Sequence, residues 1–120
     1  MGYTLIVDDS ATERSIIAGC LKEVGINVSV ALSGEEALEK IDQNYPDLIV
    51  LDVVLPGRSG FEICRELKGS DNTNKIPIIL CSTKDTEMDK FWGMKQGADA
   101  YLPKPIDQEQ LVKKAQELIA

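Results

Sequence analysis

The chain has 120 residues, 43% of them hydrophobic, which is enough for one domain with its own core and leaves no room for a second. Thirteen basic residues against twenty acidic ones give a formal net charge of −7, which excludes electrostatic attraction to nucleic acid or anionic lipid. No apolar run approaches the ~20 residues of a membrane-spanning helix and no basic, apolar leader opens the chain, so a soluble cytoplasmic protein is expected.

In chain order, Thr4–Val7 is a short apolar run that predicts a buried first strand, followed directly by Asp8 and Asp9. Ser10 with Glu13 has the spacing of a reciprocal capping box. From Thr12 to Val24 the apolar residues Ile16, Ile17, Leu21 and Val24 recur at three- and four-residue intervals, with Gly25 where a C-terminal cap belongs. Asn27–Ala31 reads as a second strand, and Ser33 with Glu36 opens a helix that ends at Asn44-Tyr45-Pro46. Leu48–Leu51 is the third strand and runs straight into Asp52. Ser59 with Glu62 opens the next helix, which Gly69 closes, and the polar stretch Gly69–Lys75 lacks periodicity and predicts a mobile loop. Ile78–Cys81 leads to Ser82, a helix ending at Gly97 follows, and Ala100–Leu102 leads to Lys104 and Pro105 before Asp107 opens the last helix. Cys20, Cys64 and Cys81 follow no metal-ligand or CxxC spacing and lie in apolar stretches, as buried reduced thiols would.

Five βα repeats with strands apolar on both faces predict an α/β fold of one domain, residues 1–120, with a doubly wound parallel sheet of strand order 2-1-3-4-5. Ligands of such sheets sit at the carboxyl ends of the strands, where the order reverses between strands 1 and 3. Asp8, Asp9 and Asp52 meet there. Three clustered carboxylates repel one another, and a hard divalent cation, Mg2+, is the simplest relief. A local capping role for the two aspartates is weakened by Ser10, which already caps the first helix. Ser82 and Lys104 come to the same edge and complete a set of nucleophile, metal pocket, hydroxyl donor and cation. A carboxylate so placed can attack phosphorus if the charge of the transferring group is neutralised.

The segments I-V-D-D-S, D-L-I-V-L-D-V-V-L-P-G-R-S-G, P-I-I-L-C-S-T-K-D and G-A-D-A-Y-L-P-K-P together resemble the receiver domains of two-component response regulators over essentially the whole chain. The resemblance implies a phosphorylation-activated switch of the stand-alone CheY-like kind, without an output domain, and not an enzyme beyond its own phosphorylation and dephosphorylation. Asp52 corresponds to the phosphoacceptor, Asp8 and Asp9 to the acidic pair of the Mg2+ site, Ser82 and Tyr101 to the switch pair, and Lys104 to the phosphate-contacting lysine. Val54 and Lys84 occupy positions that tune how long the phosphoryl group lasts, and the Lys104–Pro105 bond is often cis in the family. The expected partners are a histidine kinase or phosphotransfer protein and a downstream protein target, read by a monomer or weak dimer through the face of helix 4, strand 5 and helix 5. The segment D-K-F-W-G-M-K-Q-G-A is further similar to regulators of type IV pilus motility of the PilG and PilH kind, and Trp92 within it is either a partner anchor or a packing residue.

Three rival readings compete with this one. A Mg2+-dependent phosphatase with an aspartyl nucleophile expects an aspartate two residues on, where this chain has Val54. A flavodoxin-like flavin binder expects a donor-rich first loop, which Asp8 and Asp9 contradict. A receiver-like interaction domain that is never phosphorylated is the third.

Overall fold

The computed structural model describes residues 2–120. Five strands, β1 (Tyr3–Val7), β2 (Asn27–Ala31), β3 (Leu48–Asp52), β4 (Ile78–Ser82) and β5 (Ala100–Pro103), alternate with α1 (Ala11–Glu23), α2 (Gly34–Gln43), α3 (Gly60–Lys68), α4 (Glu87–Lys95) and α5 (Gln108–Ile119). All strand pairs are parallel, in the expected order β2-β1-β3-β4-β5.

Alternate strand residues point to opposite faces of the sheet, which divides the core in two. Leu5, Val7, Ile49, Leu51, Ile78 and Leu80 face α2 and α3, where Ala37, Ile41, Ile63 and Leu67 cover them. Ile6, Leu48, Val50, Ile79 and Cys81 face α1 and α5, under Ile17, Cys20, Leu21, Leu111 and Ala115. The buried stripe of α1 is therefore Ile17, Cys20 and Leu21, while Ile16, expected on it, is 38% exposed. All three cysteines are buried and free, and burial pushes the thiols of Cys64 and Cys81 up to about 11 and about 12.

Ser10, Ser33 and Ser59 do cap α1, α2 and α3, each accepting from the backbone N–H of the glutamate three residues on. The boxes are not reciprocal, because each glutamate side chain has turned to a cation: Glu13 to Lys104, Glu36 to Lys40, and Glu62 to Arg58. The complete box belongs to Thr86 and Asp89 at α4, where the sequence reading placed none. Nor is Gly69–Lys75 loose: turns close through Thr73 and Asn74 N–H to Ser70, the Thr73 hydroxyl donates to Leu67, and the Lys68 ammonium binds the Asn74 and Ile76 carbonyls.

Candidate functional site

Three strand ends are finished in the same way. Asp8 Oδ1 accepts from the Ser10 N–H at 2.9 Å, Asp52 Oδ1 from the Val54 N–H at 3.3 Å, and Ser82 Oγ from the Lys84 N–H at 3.0 Å. Each side chain is thus folded over the first turn after its strand, a short polar group bonding the backbone two residues on. The arrangement fixes one oxygen of each aspartate and leaves the other facing the cleft.

Those second oxygens meet Lys104. Its ammonium lies 2.8 Å from Asp8 Oδ2 and 3.2 Å from Asp52 Oδ2, with Glu13 Oε1 at 3.6 Å. The backbone N–H of Lys104 donates to the Ser82 carbonyl at 2.9 Å, which ties the start of this turn to the end of β4; the following Lys104–Pro105 bond is cis, as the resemblance implies. Lys104 and both aspartates are nearly enclosed, with side-chain exposures of 10%, 2% and 8%. Burial pushes the Asp52 carboxyl above its ordinary value, and the charge of Asp8 adds to this while Lys104 opposes it. For Lys104 burial acts downward, but the hydrogen bond to Asp8 and the charges of Asp52 and Asp8 outweigh it and hold the ammonium above its ordinary range.

Asp9 is exposed beside this enclosed pair, and one carboxylate oxygen from each of Asp8, Asp9 and Asp52 lies within 4.8 Å of the other two. Hard anionic donors at that mutual distance fit an oxygen-seeking divalent cation such as Mg2+, which takes one or two carboxylates and keeps several waters. Gly60 secures the geometry from below. It donates its N–H to the Val53 carbonyl at 2.8 Å, and a Cβ on it would stand 2.1 Å from the Asp52 carbonyl oxygen, so only glycine lets α3 begin against this strand end.

The remaining expected residues lie at the rim. Ser82 is buried, and its hydroxyl accepts from Lys84, which leaves its proton free to donate. Val54 is 55% exposed at the mouth, and the exposed Lys84 side chain leaves its backbone to hold Ser82 and Tyr101. Tyr101 is half-buried rather than fully exposed, and its hydroxyl donates to the Lys84 carbonyl at 2.5 Å. Glu13, which the sequence suggests as a capping residue, turns to Lys104 instead, because Asp8, two residues before Ser10, takes the Ser10 N–H. Gly60 and Gly93, which lie against the Asp52 backbone and the Tyr101 ring, are not singled out by the sequence.

The sequence profile of the response regulator receiver domain family matches residues 4–116. Protein PilH of Pseudomonas aeruginosa is 41% identical over 120 residues, covering 100% of this chain and 99% of that protein. Among solved structures, the chemotaxis response regulator CheY4 of Vibrio cholerae superposes with a TM-score of 0.90 at 32% identity, covering 98% of each chain. The BeF3-activated receiver domain of DrrB does so with a TM-score of 0.88 at 30% identity, covering 99% of this chain and 97% of its own. Receiver domains are signalling switches that bind Mg2+ at an acidic pocket and answer to a phosphodonor and a downstream target, and this chain, a PilH homologue, belongs to the response regulator receiver domain family.

Proposed function

We propose that Asp52 accepts a phosphoryl group and that the chain reports its presence to a protein target. The observation that carries this reading is the pairing of a buried carboxylate, Asp52 Oδ2, with an enclosed cation, Lys104, 3.2 Å away in a cleft that also holds Asp8 and Asp9. An oxygen of Asp52 bonds to phosphorus as the phosphorus–nitrogen bond of a phosphohistidine donor breaks, and the donor imidazole takes up a proton. Bound Mg2+ supplies charge neutralisation for the phosphoryl oxygens. Lys104 stands ready to bind one of those oxygens, and the Ser82 hydroxyl, its acceptor side occupied, donates to another. Attack of water on phosphorus returns the Asp52 carboxylate and releases inorganic phosphate. Val54, apolar at the mouth, offers that water no hydrogen bond.

Drawing Ser82 toward the phosphoryl group favours the inward ring of Tyr101, and the readout is the face of α4, β5 and α5. Met88, Phe91, Trp92 and Met94 of α4 are all exposed, with Lys95 stacked 5.6 Å over the Phe91 ring, and such a patch suits a protein partner. The likeness to PilH favours a pathway of type IV pilus motility. Single-domain organisation over residues 1–120, a cytoplasmic setting and a histidine kinase or phosphotransfer protein as donor belong to the same proposal. Among the described residues no helix is long and apolar enough to cross a membrane.

Incubation with Mg2+ and a small phosphodonor, followed by intact-mass measurement, should show the gain of one phosphoryl group, lost in Asp52→Asn. Labelling that survives this substitution overturns the assignment of Asp52, and no labelling of the wild type overturns the reading as a whole.

A further inference from the structure

Glu13 is the one carboxylate near the cleft that the acceptor reading leaves without work. As the third residue of α1 it would ordinarily reach back to the Ser10 N–H, but Asp8 Oδ1 already accepts that proton at 2.9 Å. Released from the cap, its side chain extends to Lys104, with Oε1 3.6 Å from the ammonium and only 25% of the side chain exposed. It stands outside the group of Asp8, Asp9 and Asp52 whose oxygens can converge on a cation, so it serves the lysine rather than a metal.

Lys104 is therefore shared among three carboxylates at 2.8, 3.2 and 3.6 Å. Two of them are committed elsewhere once the site is loaded. A hard cation bound to Asp8 draws on the charge that its carboxylate offers the ammonium, and Asp52 exchanges its carboxylate for an acyl phosphate. Glu13 stands outside the cation group and does not take the phosphoryl group, so neither event calls on its carboxylate. From this geometry, and resting on the phosphoryl-acceptor reading above, we infer that Glu13 is a positioning residue that sets how strongly Lys104 holds the phosphoryl group. It keeps the ammonium at the mouth of the cleft when Asp8 turns to the metal, and it competes with the phosphoryl oxygens for that ammonium.

The competition has an electrostatic signature with opposed signs. Glu13→Gln keeps the helix start, since Ser10 Oγ accepts from the backbone of residue 13 and not from its side chain. Removing a negative charge near Asp8 and Asp9 weakens the attraction for Mg2+. Removing the competitor for Lys104 strengthens the hold on an anion at Asp52. Each change should be about threefold, the scale of a partly exposed ion pair. A residue that only supported the fold would move both constants in one direction.

The test uses Mg2+ alone, and then beryllofluoride, a phosphoryl analogue, at saturating Mg2+, with wild type, Glu13→Gln and Glu13→Ala compared by NMR titration and thermal melting. Expected are a raised Mg2+ dissociation constant and a lowered beryllofluoride dissociation constant in both variants. If the wild type binds beryllofluoride and both variants shift the two constants the same way, or neither, the role of Glu13 is wrong while the acceptor reading stands. If the wild type binds neither probe, the acceptor reading falls and this inference with it.

Discussion

The Tyr101 ring occupies the space that a Cβ on Gly93 would need: an atom built there would stand 2.7 Å from Cδ2 and 2.9 Å from Cε2 of the ring. Glycine in the middle of α4 costs helix stability, about 0.5–1 kcal/mol relative to alanine, and what it gains here is a berth for an aromatic side chain. At that depth the phenol reaches the Lys84 carbonyl, whose own residue holds the Ser82 hydroxyl through its N–H. The Ser82 hydroxyl and the Tyr101 ring are thus joined through one residue of backbone.

Gly93→Ala should therefore drive the ring outward, since a side chain can swing away and the α4 backbone cannot. Burial pushes the Tyr101 phenol above its ordinary value, so a ring released into water should titrate closer to about 10. NMR titration of the Tyr101 ring in the two proteins measures this. The same high titration in Gly93→Ala would show that the ring does not depend on the missing Cβ.

A second close approach involves backbone on both sides. A Cβ at position 60 would lie 2.1 Å from the Asp52 carbonyl oxygen and 2.8 Å from Val53 Cα, and neither atom can yield without moving the end of β3. Gly60→Ala should lower stability by about 2 kcal/mol, as overpacking does, and reduce Mg2+-dependent labelling with it. Urea unfolding and intact-mass labelling check the two effects together, and a variant as stable as wild type would contradict the crowding.

What the sequence made legible follows from how local each signal is. Strand runs such as Leu48–Leu51 and serine caps such as Ser10 depend on neighbours within four residues, and the strand order follows from handedness rules, so sheet, helices and the convergence of Asp8, Asp52, Ser82 and Lys104 could be read in advance. Glu13, Gly60 and Gly93 could not. Each depends on a distant partner: Lys104 for Glu13, the Asp52 backbone for Gly60 and the Tyr101 ring for Gly93. Spacing along the chain carries no trace of such contacts. The loop Gly69–Lys75 stands where the sequence puts it, but its hydrogen bonds are not legible there for a related reason, because they come from the Lys68 ammonium and from turns rather than from apolar periodicity.

Thr4 offers a plain test of the core. It is fully buried on β1 between Val28 and Leu48, and its hydroxyl has no hydrogen-bond partner. Thr4→Val replaces an unsatisfied buried hydroxyl with a methyl group of nearly the same shape and should raise stability by about 1 kcal/mol. Denaturant midpoints with unchanged slopes give the measurement. Loss of stability would mean that the hydroxyl is bonded after all.

Asp52 should cost the unliganded protein stability at neutral pH. Burial raises its folded-state pKa above the unfolded value of about 3.9. Below that value the carboxyl is protonated in both states and its contribution is fully present; as pH rises through the folded value, ionisation is harder in the fold than out of it and the contribution is lost. Asparagine never ionises. Asp52→Asn should therefore melt higher than wild type at pH 7 in the absence of metal, with the difference closing as pH falls toward about 3.9. An equal gain at every pH would point to packing instead of charge.

Lys104 makes the opposite case, and its removal should be repairable. Its folded-state pKa is raised, with burial opposed and outweighed by the hydrogen bond to Asp8 and the charges of Asp52 and Asp8, so its stabilising effect is fully present below the unfolded value of about 10.4 and lost as pH rises through the folded one. At neutral pH Lys104→Met leaves Asp8 and Asp52 enclosed with no counter-charge beside them. Removing one partner of a buried pair costs about 3 kcal/mol. A divalent cation that binds the same carboxylates replaces the lost charge and, at ten times its dissociation constant, stabilises by about 1.4 kcal/mol. In the wild type the cation must first take Asp8 from Lys104, whereas in the variant nothing competes for it. The melting-temperature gain on adding Mg2+ should thus be larger in Lys104→Met than in wild type, and chelation should abolish it in both. Equal gains would show that Lys104 and the cation do not contest Asp8, and that the contact at 2.8 Å opens at no cost to either.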